Sequence, residues 1–219
     1  MQNNIKGAVF DLDGTLINTL TDLANACEFV IKKHNYEAHW SEEDYKHFVG
    51  NGMRKLIERA FRHTLTEEQT AAYLTEFKAY YAKTQLDHTA PYPGIPEQLK
   101  LLKEQGIRLA VVTNKAEEAA VAILNALLGE NTFDVIIGQR DGLPTKPAPD
   151  GVLKALDAIG CTRDEVLYFG DSDVDILTAR NAGVTSVGVT WGFRGRAELE
   201  NAGADLILEQ PEEIQKLFS

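Results

Sequence analysis

Short apolar runs alternate with amphipathic stretches from about residue 91 to the end of the chain. The runs are of strand length, and their continuous apolar character is typical of parallel strands covered on both faces. The stretches at 95–104 and 116–128 carry apolar residues at helical spacing, and Gly106 and Gly129 follow them where helix ends are expected. This alternation predicts an open parallel α/β sheet with strands at 7–10, 109–112, 135–137, 166–169, 187–189 and 206–208.

Residues 19–90 have a different pattern, with no convincing strand. Ser41 and Thr66 begin sequences typical of helix N-termini, and we predict helices at 21–34, 42–48, 53–63 and 67–84. A segment of 72 residues is too long for a structureless loop. We therefore predict an α/β parallel-sheet core made of 1–18 and 91–219, with an inserted small α-helical domain at 19–90.

Composition narrows the classes of partner. The 219 residues include 22 Lys and Arg against 33 Asp and Glu, a formal net charge of −11. This charge argues against nucleic acid and against an anionic membrane surface as partners. No run approaches the ~18 apolar residues of a membrane span, and the first ten residues are too polar for a signal peptide. Cys27 and Cys161 are too far apart in sequence for a metal or redox motif, so we expect reduced thiols and a cytoplasmic protein.

Four polar clusters each follow a predicted strand, at 11–15, 113–115, 145–147 and 170–175. Ligands bind beyond the carboxyl ends of strands in open α/β sheets, so the clusters should converge on one crevice. Carboxylates gathered there repel one another unless a cation neutralises them. An all-oxygen ligand set suits a hard ion, which makes Mg²⁺ the natural candidate. The carboxylates in question are Asp11, Asp13, Asp171 and Asp175.

The other polar residues in these clusters suit a phosphoryl group. Lys146 supplies a cation and Thr113 a hydroxyl donor, and helix-end amides add further donors. A carboxylate within reach can then attack phosphorus and form an aspartyl phosphate. Each cluster alone has a structural explanation, such as a turn at 11–14 or a solvated loop lysine. A calcium loop at 171–182 fails, because Ile176 and Ala182 stand where Gly and Glu are needed.

The four clusters resemble, in order, the four motifs of the haloacid dehalogenase superfamily. The matching sequences are Asp-Leu-Asp-Gly-Thr-Leu at 11–16, Thr-Asn-Lys at 113–115, Lys-Pro at 146–147 and Gly-Asp-Ser-Asp-Val-Asp at 170–175. The resemblance implies a Rossmann-like core with a helical cap. It implies that Asp11 is the nucleophile and Asp13 the acid/base. It further implies phosphoryl binding by Gly14, Thr113, Asn114 and Lys146, and Mg²⁺ binding by Asp11, the Asp13 carbonyl and Asp171, with Asp175 in support.

Within the superfamily the chain looks most similar to the phosphoglycolate phosphatases. The shared features are Gly-Asn-Gly at 50–52, Val-Val-Thr-Asn-Lys at 111–115 and Thr-Trp-Gly-Phe at 190–193. Asn18 stands where many relatives carry Asp. Asp13 argues against dehalogenation, because the dehalogenases lack this second aspartate.

The expected function is Mg²⁺-dependent hydrolysis of a small phosphorylated metabolite, such as 2-phosphoglycolate, by a monomer or homodimer. A phosphosugar mutase, a pyrophosphatase or a nucleotidase of the same superfamily are alternatives. A phospho-signalling receiver also uses Asp, Thr, Lys and Mg²⁺, but it has no inserted helical domain. We expect Arg54 of the cap to meet a carboxylate at the far end of the substrate, with Lys115 as the alternative.

Overall fold

The computed structural model of the protein describes residues 5–218, so the assignment of residues 1–4 and 219 to the core lies outside the described residues. Its strands confirm the predicted ones and add a short pair at the ends of the helical insert. In chain order they are β1 (Gly7–Phe10), β2 (Ile17–Asn18), β3 (Ala90–Pro91), β4 (Arg108–Ala116), β5 (Val135–Gln139), β6 (Val166–Gly170), β7 (Thr185–Val189) and β8 (Leu206–Leu208).

The helices also follow the prediction, including its N-terminal signals. Ser41 and Thr66 each accept a hydrogen bond from the backbone three residues on, and are N-caps as expected. The third helix ends earlier than predicted, because Arg62 and His63 have positive φ values of 53° and 56°. The helices are α1 (Leu20–Lys33), α2 (Glu42–Phe48), α3 (Met53–Ala60), α4 (Glu67–Thr84), α5 (Ile95–Glu104), α6 (Glu117–Leu128), α7 (Asp150–Ile159), α8 (Asp173–Ala182) and α9 (Arg196–Ala202), with 3₁₀ turns at Arg163–Glu165 and Pro211–Leu217.

Six of the strands form a parallel sheet in the order β5-β4-β1-β6-β7-β8. This confirms the predicted fold class, an α/β parallel-sheet core with an α-helical insert. One strand differs from its prediction. β4 continues to Ala116, so residues 113–115 lie within the strand rather than after it, and the register with β5 shifts between Val112 and Ala116.

Residues alternate between the two faces of the sheet, as the pleat requires. On β1, Ala8 and Phe10 pack into one buried cluster with α5 and α6. Val9 packs into the other cluster, with α7 and α8. Helices on both faces explain why the strands are continuously apolar.

The register of the central strands places the catalytic candidates side by side. Phe10 pairs with Val111 on one side and with Phe169 on the other. The chain therefore leaves β1 and β6 at the same height, and residue 11 emerges beside residues 170 and 171.

Helices α1 to α4 pack around a buried cluster of their own, which includes Cys27, Phe61, Phe77 and Tyr81. The short antiparallel pair β2 and β3 joins the two ends of this segment, with Asn18 opposite Ala90. The boundaries at 18/19 and 90/91 stay a prediction. We call the segment 19–90 the cap.

Within residues 5–218, none of the helices combines the length and the apolar character needed to cross a membrane.

Candidate active site

Three buried carboxylates converge at the carboxyl end of the sheet. Asp11 follows β1, Asp171 follows β6, and Asp175 lies in the first turn of α8. One oxygen from each lies within 4.8 Å of the others. A spacing of four residues is typical of two side chains on one face of a helix, and from sequence it predicts that Asp171 and Asp175 share the start of one. Asp171 instead precedes the N-cap residue Ser172, so the end of β6 brings it to the site.

Lys146 lies among these carboxylates. Its Nζ is 2.9 Å from Asp11 Oδ1 and 2.7 Å from Asp175 Oδ1. The side chain is buried, and it comes from the loop between β5 and α7, where the Lys146–Pro147 peptide is cis. Burial by itself would lower the pKa of Lys146, but Asp11 and Asp175 outweigh it and raise the pKa well above its usual value. The ammonium is therefore a permanent positive charge.

One ammonium does not balance the negative charge of the cluster. Burial raises the pKa of Asp11 to about 7, even though Lys146 opposes the shift. Burial, followed by the charges of Asp175 and Asp11, also raises the pKa of Asp171 well above its usual value. Three buried oxygens that are short of positive charge fit a hard cation, because carboxylate oxygens are the ligands such ions prefer. The residues that could hold a metal ion are Asp11, Asp171 and Asp175.

Asp13 lies beside this cluster but its carboxylate is directed elsewhere. Its Oδ1 accepts hydrogen bonds from the Thr19 hydroxyl at 2.6 Å and from Lys115 Nζ at 2.9 Å. Lys115 is buried, and its Nζ also lies 5.0 Å from the ring centroid of Tyr81 on α4. Burial would lower the pKa of Lys115, but the neighbouring Asp13 outweighs it and the pKa is raised. The pair joins the end of β1 to β4.

Asn114 connects three parts of the site. Its Nδ2 donates to the carbonyl oxygens of Gly50 at 3.0 Å and Lys146 at 3.3 Å, and its Oδ1 accepts from the Lys146 backbone at 2.8 Å. The neighbouring Thr113 is buried, and its Oγ1 accepts from the backbone of Lys115 at 3.2 Å. Asn114 thus holds the lysine loop through two hydrogen bonds and contacts the cap through a third.

Two glycines allow the backbone to pass close to Asp171. Gly14 has φ +85°, and a Cβ there would overlap the Asp171 carboxylate. A Cβ on Gly192 would overlap both Asp171 and the Gly14 carbonyl oxygen. Glycine is required at both positions because any side chain would displace a cluster carboxylate.

A cavity that is partly open to solvent lies between the acidic cluster and the cap. Asp11, Asp13 and Thr113 line it from below. Among the described residues that line it, Lys115 is the one with a positively charged side chain. The cap covers the cavity mainly with apolar side chains, those of Leu23, Val49, Met53 and Leu56.

Arg54, the cap residue predicted to meet the substrate, lies at the surface. Its Nε donates to Glu58 at 3.0 Å and its Nη2 to Glu67 at 2.7 Å, and 45% of the side chain is exposed. The structure does not place it among the residues that line the cavity. Its contact with substrate stays a prediction.

Several contacts around the cluster were not predicted from the motifs. The Tyr168 hydroxyl lies 3.3 Å from Lys146 Nζ and donates to Asp175 Oδ1 at 3.2 Å. The Thr15 hydroxyl donates to Asp171 Oδ1 at 3.2 Å, and the Phe193 N–H donates to Asp171 Oδ2 at 2.8 Å. For Tyr168 the available signal was a hydroxyl-bearing residue within an otherwise apolar strand. The Phe193 contact depends on a loop conformation that no local pattern predicts.

Comparison with known proteins supports the reading of the motifs. Residues 8–189 match the family model described as haloacid dehalogenase-like hydrolase. The chain is 35% identical over 210 residues to a phosphoglycolate phosphatase from Aquifex aeolicus, covering 96% of this chain and 95% of that protein. A candidate pyrophosphatase from Caldanaerobacter subterraneus is 33% identical, with 98% of this chain and 94% of that protein covered.

A solved structure agrees. The crystal structure of a predicted phosphoglycolate phosphatase from Haemophilus somnus superposes with a TM-score of 0.90 at 30% identity, covering 99% of both chains. The match therefore extends over nearly the whole length of the chain. The resemblance predicted from the motifs is confirmed, and this chain belongs to the haloacid dehalogenase-like hydrolase family.

Proposed function

We propose that the protein is a Mg²⁺-dependent phosphatase that hydrolyses a small phosphomonoester through an aspartyl phosphate on Asp11. The observation that carries the proposal is the buried cluster in which three carboxylates and Lys146 converge, with Asp13 alongside. A phosphoryl group needs concentrated positive charge, and the cluster combines one ammonium with an acidic set suited to a divalent cation. The names of the relatives point the same way.

In the proposed reaction, an Asp11 carboxylate oxygen attacks phosphorus and the bond to the leaving oxygen breaks. Asp13 gives its proton to that oxygen, then takes a proton from the water that attacks the aspartyl phosphate. Water attack breaks the bond between Asp11 and phosphorus and releases inorganic phosphate. Thr19 and Lys115 both contact Oδ1 of Asp13, so we assign the transferred proton to its Oδ2.

Lys146 and the residues around it would hold the transferring group. Lys146 Nζ lies 2.9 Å from Asp11 Oδ1, close enough to contact the oxygens of a phosphoryl group on that carboxylate. The Thr113 hydroxyl and the Asn114 backbone N–H would add donors from β4. When bound by Asp11 and Asp171, with the Asp13 carbonyl and Asp175 in support, Mg²⁺ would neutralise the charge that develops on the phosphoryl oxygens.

Lys115 is the residue that we propose for recognition of the leaving group. It lines the cavity and carries a positive charge, whereas the described cap side chains above it are mainly apolar. A substrate carboxylate close to the phosphate, as in phosphoglycolate, would form an ion pair with the Lys115 ammonium.

A screen of phosphate release tests the proposal. The panel is phosphoglycolate, pyrophosphate, a nucleoside monophosphate and β-glucose 1-phosphate, each with Mg²⁺ and each with a chelator. We expect Mg²⁺-dependent phosphate release that is fastest with phosphoglycolate. Conversion of β-glucose 1-phosphate without phosphate release would select the mutase, and preference for pyrophosphate would select the activity named for one relative.

A stable phosphoprotein with no turnover on any substrate would contradict the proposal and favour a signalling receiver. The expected location in the cytoplasm, and the expected state as a monomer or homodimer, stay predictions.

A further inference from the structure

The loop between β7 and α9, residues 190–195, contacts both the acidic cluster and the cap. On the core side, Trp191 Nε1 donates to the Thr15 carbonyl oxygen at 2.9 Å, and the Phe193 N–H donates to Asp171 Oδ2 at 2.8 Å. The loop is therefore fixed to the motif that follows β1 and to a carboxylate of the cluster. We call this segment the 190–195 loop.

The Phe193 side chain belongs to the cap. It is buried in the cluster formed by helices α1 to α4. Among the described residues, it is the one buried member of that cluster that comes from outside segment 19–90. One residue thus binds a core carboxylate through its backbone and the cap interior through its ring. Separation of cap and core would expose the ring or pull the N–H away from Asp171.

Arg194 extends this contact with a buried guanidinium. It donates to the carbonyl oxygens of Lys46, of His47 at 3.4 Å and of Val49 at 3.3 Å, and its Nε pairs with Glu198 at 3.1 Å. These carbonyls lie at the C-terminal end of α2, where helix carbonyls lack intrahelical partners and carry partial negative charge. The Arg194 guanidinium from the core therefore binds the cap at a helix end that carries partial negative charge.

The segment held by Arg194 continues directly into the roof of the active site. Val49, Gly50 and Gly52 line the cavity over Asp11 and Asp13, and Asn114 binds the Gly50 carbonyl from below. Asp11 is buried beneath this roof, so a phosphomonoester would reach its carboxylate when the cap opens and would be held when the cap closes. Contacts that stabilise the closed position of the cap therefore increase the fraction of molecules in which cap and core residues of the site are together.

We propose that Arg194 is a positioning residue that holds the cap closed over the active site. This inference rests on the proposed function for its kinetic consequence, but the closure itself can be measured without turnover. If substrate binds tightly only when the cap is closed, its apparent affinity falls in proportion to the fraction of protein that is closed. Loss of Arg194 should therefore raise KM and change kcat little, because bound substrate still favours closure.

The variant Arg194→Ala tests the proposal, with Arg196→Ala as the matched control. Arg196 is two residues further on and pairs with Glu200 and Glu209 at the surface. In the absence of substrate, we expect faster hydrogen–deuterium exchange in residues 42–52 for Arg194→Ala and unchanged exchange for the control. With phosphoglycolate and Mg²⁺ we expect KM to rise about tenfold, the effect of losing one or two charge-assisted hydrogen bonds.

Two further measurements separate positioning from a loss of folding. Arg59 also donates to the carbonyl oxygens of Phe48 at 2.8 Å and His47 at 3.3 Å, so the end of α2 keeps a partner within the cap. Exchange in α4 should therefore be unchanged in Arg194→Ala. Arg194→Lys keeps the charge but loses the planar fork, and we expect it to restore part of the lost affinity.

Unchanged exchange in 42–52 in Arg194→Ala would overturn the inference, as would a lower kcat at unchanged KM. If the wild-type protein released no phosphate from any substrate, the proposed function would fail while the exchange comparison would still decide whether Arg194 holds the cap.

Discussion

At the residue scale, the buried ammonium of Lys146 lies between carboxylates from two different elements. Asp11 follows the central strand, and Asp175 lies on α8. Neither carboxylate is exposed enough for water to replace the lysine. The same charge that would hold a phosphoryl group thus contributes to the stability of the core.

Replacement of this lysine should therefore affect stability and activity together. Lys146→Met leaves Asp11 and Asp175 without their partner, and breaking a buried ion pair in this way costs about 3–5 kcal/mol. We expect a lower free energy of unfolding in urea and a fall in kcat/KM of about a hundredfold or more. Lys154→Met, on the exposed face of α7, is the control. Wild-type activity in Lys146→Met would show that the phosphoryl group binds elsewhere.

The two candidate cations for substrate recognition can be compared directly. Lys115 lines the cavity, whereas Arg54 pairs with Glu58 and Glu67 at the surface. We expect Lys115→Met to raise KM for phosphoglycolate about tenfold or more, because the carboxylate of the bound substrate would lose its charged partner. Arg54→Met should leave KM unchanged. The opposite pattern would restore the assignment made from sequence.

At the element scale, α1 is fixed to the other end of the cap through one buried carboxylate. Asp22 accepts hydrogen bonds from the backbone N–H groups of His88 at 3.0 Å and Thr89 at 2.9 Å, and from the Thr89 hydroxyl at 2.7 Å. His88 Nδ1 lies 2.9 Å from the same carboxylate. The two segments that connect the cap to the core are thereby tied together beside the β2–β3 pair.

This arrangement predicts a pH-dependent contribution to stability. Burial by itself raises the pKa of Asp22, but the hydrogen bonds from His88 and Thr89 outweigh it and the pKa is lowered. The carboxylate therefore stabilises the fold above its usual pKa of about 3.9, and this contribution is lost as pH falls through the lower folded-state value. Asp22→Asn should reduce the free energy of unfolding by about 1–3 kcal/mol at pH 7.

The pH series supplies the control for this prediction. Urea unfolding of wild type and Asp22→Asn from pH 7 to about pH 3 should show the difference shrinking at the acidic end, because protonation removes the charge from wild-type Asp22. His88→Gln tests how much the imidazole adds. A difference between wild type and Asp22→Asn that stays constant down to pH 3 would show that the charge of Asp22 is not what stabilises the contact.

The elements could be predicted from sequence because their signals are local. The run at 166–169 indicates a buried strand, and Ser41 and Thr66 indicate helix starts. The polar residues after β1 and β6 indicate a site, because strand ends meet at one edge of a parallel sheet. The extension of β4 through Lys115 was missed, since polar residues in a fully buried strand resemble a loop.

Contacts between distant side chains could not be predicted in the same way. The pairing of Lys115 with Asp13 joins residues 102 apart, and the contact of Arg194 with Val49 joins residues 145 apart. The surface position of Arg54 follows from its pairing with Glu58 and Glu67 rather than from any local pattern. Such contacts depend on how cap and core meet, which sequence periodicity does not describe.

At the scale of the whole molecule, the net charge of −11 coexists with two buried lysines at an interior site that is otherwise acidic. Lys115 and Lys146 are both buried beneath the cap, and each has a raised pKa. The acidic surface disfavours polyanions. On the proposed function, the two lysines and a bound cation would together hold one small phosphorylated anion.

The most direct test of this account is the rate of phosphate release from phosphoglycolate by Asp11→Asn with Mg²⁺ present. The asparagine keeps the shape of the side chain but removes the attacking oxygen charge, so kcat should fall about a thousandfold or more. Asp157→Asn, on the exposed face of α7, controls for loss of a carboxylate elsewhere and should match wild type. Turnover of Asp11→Asn within tenfold of wild type would contradict the proposal that Asp11 is the nucleophile.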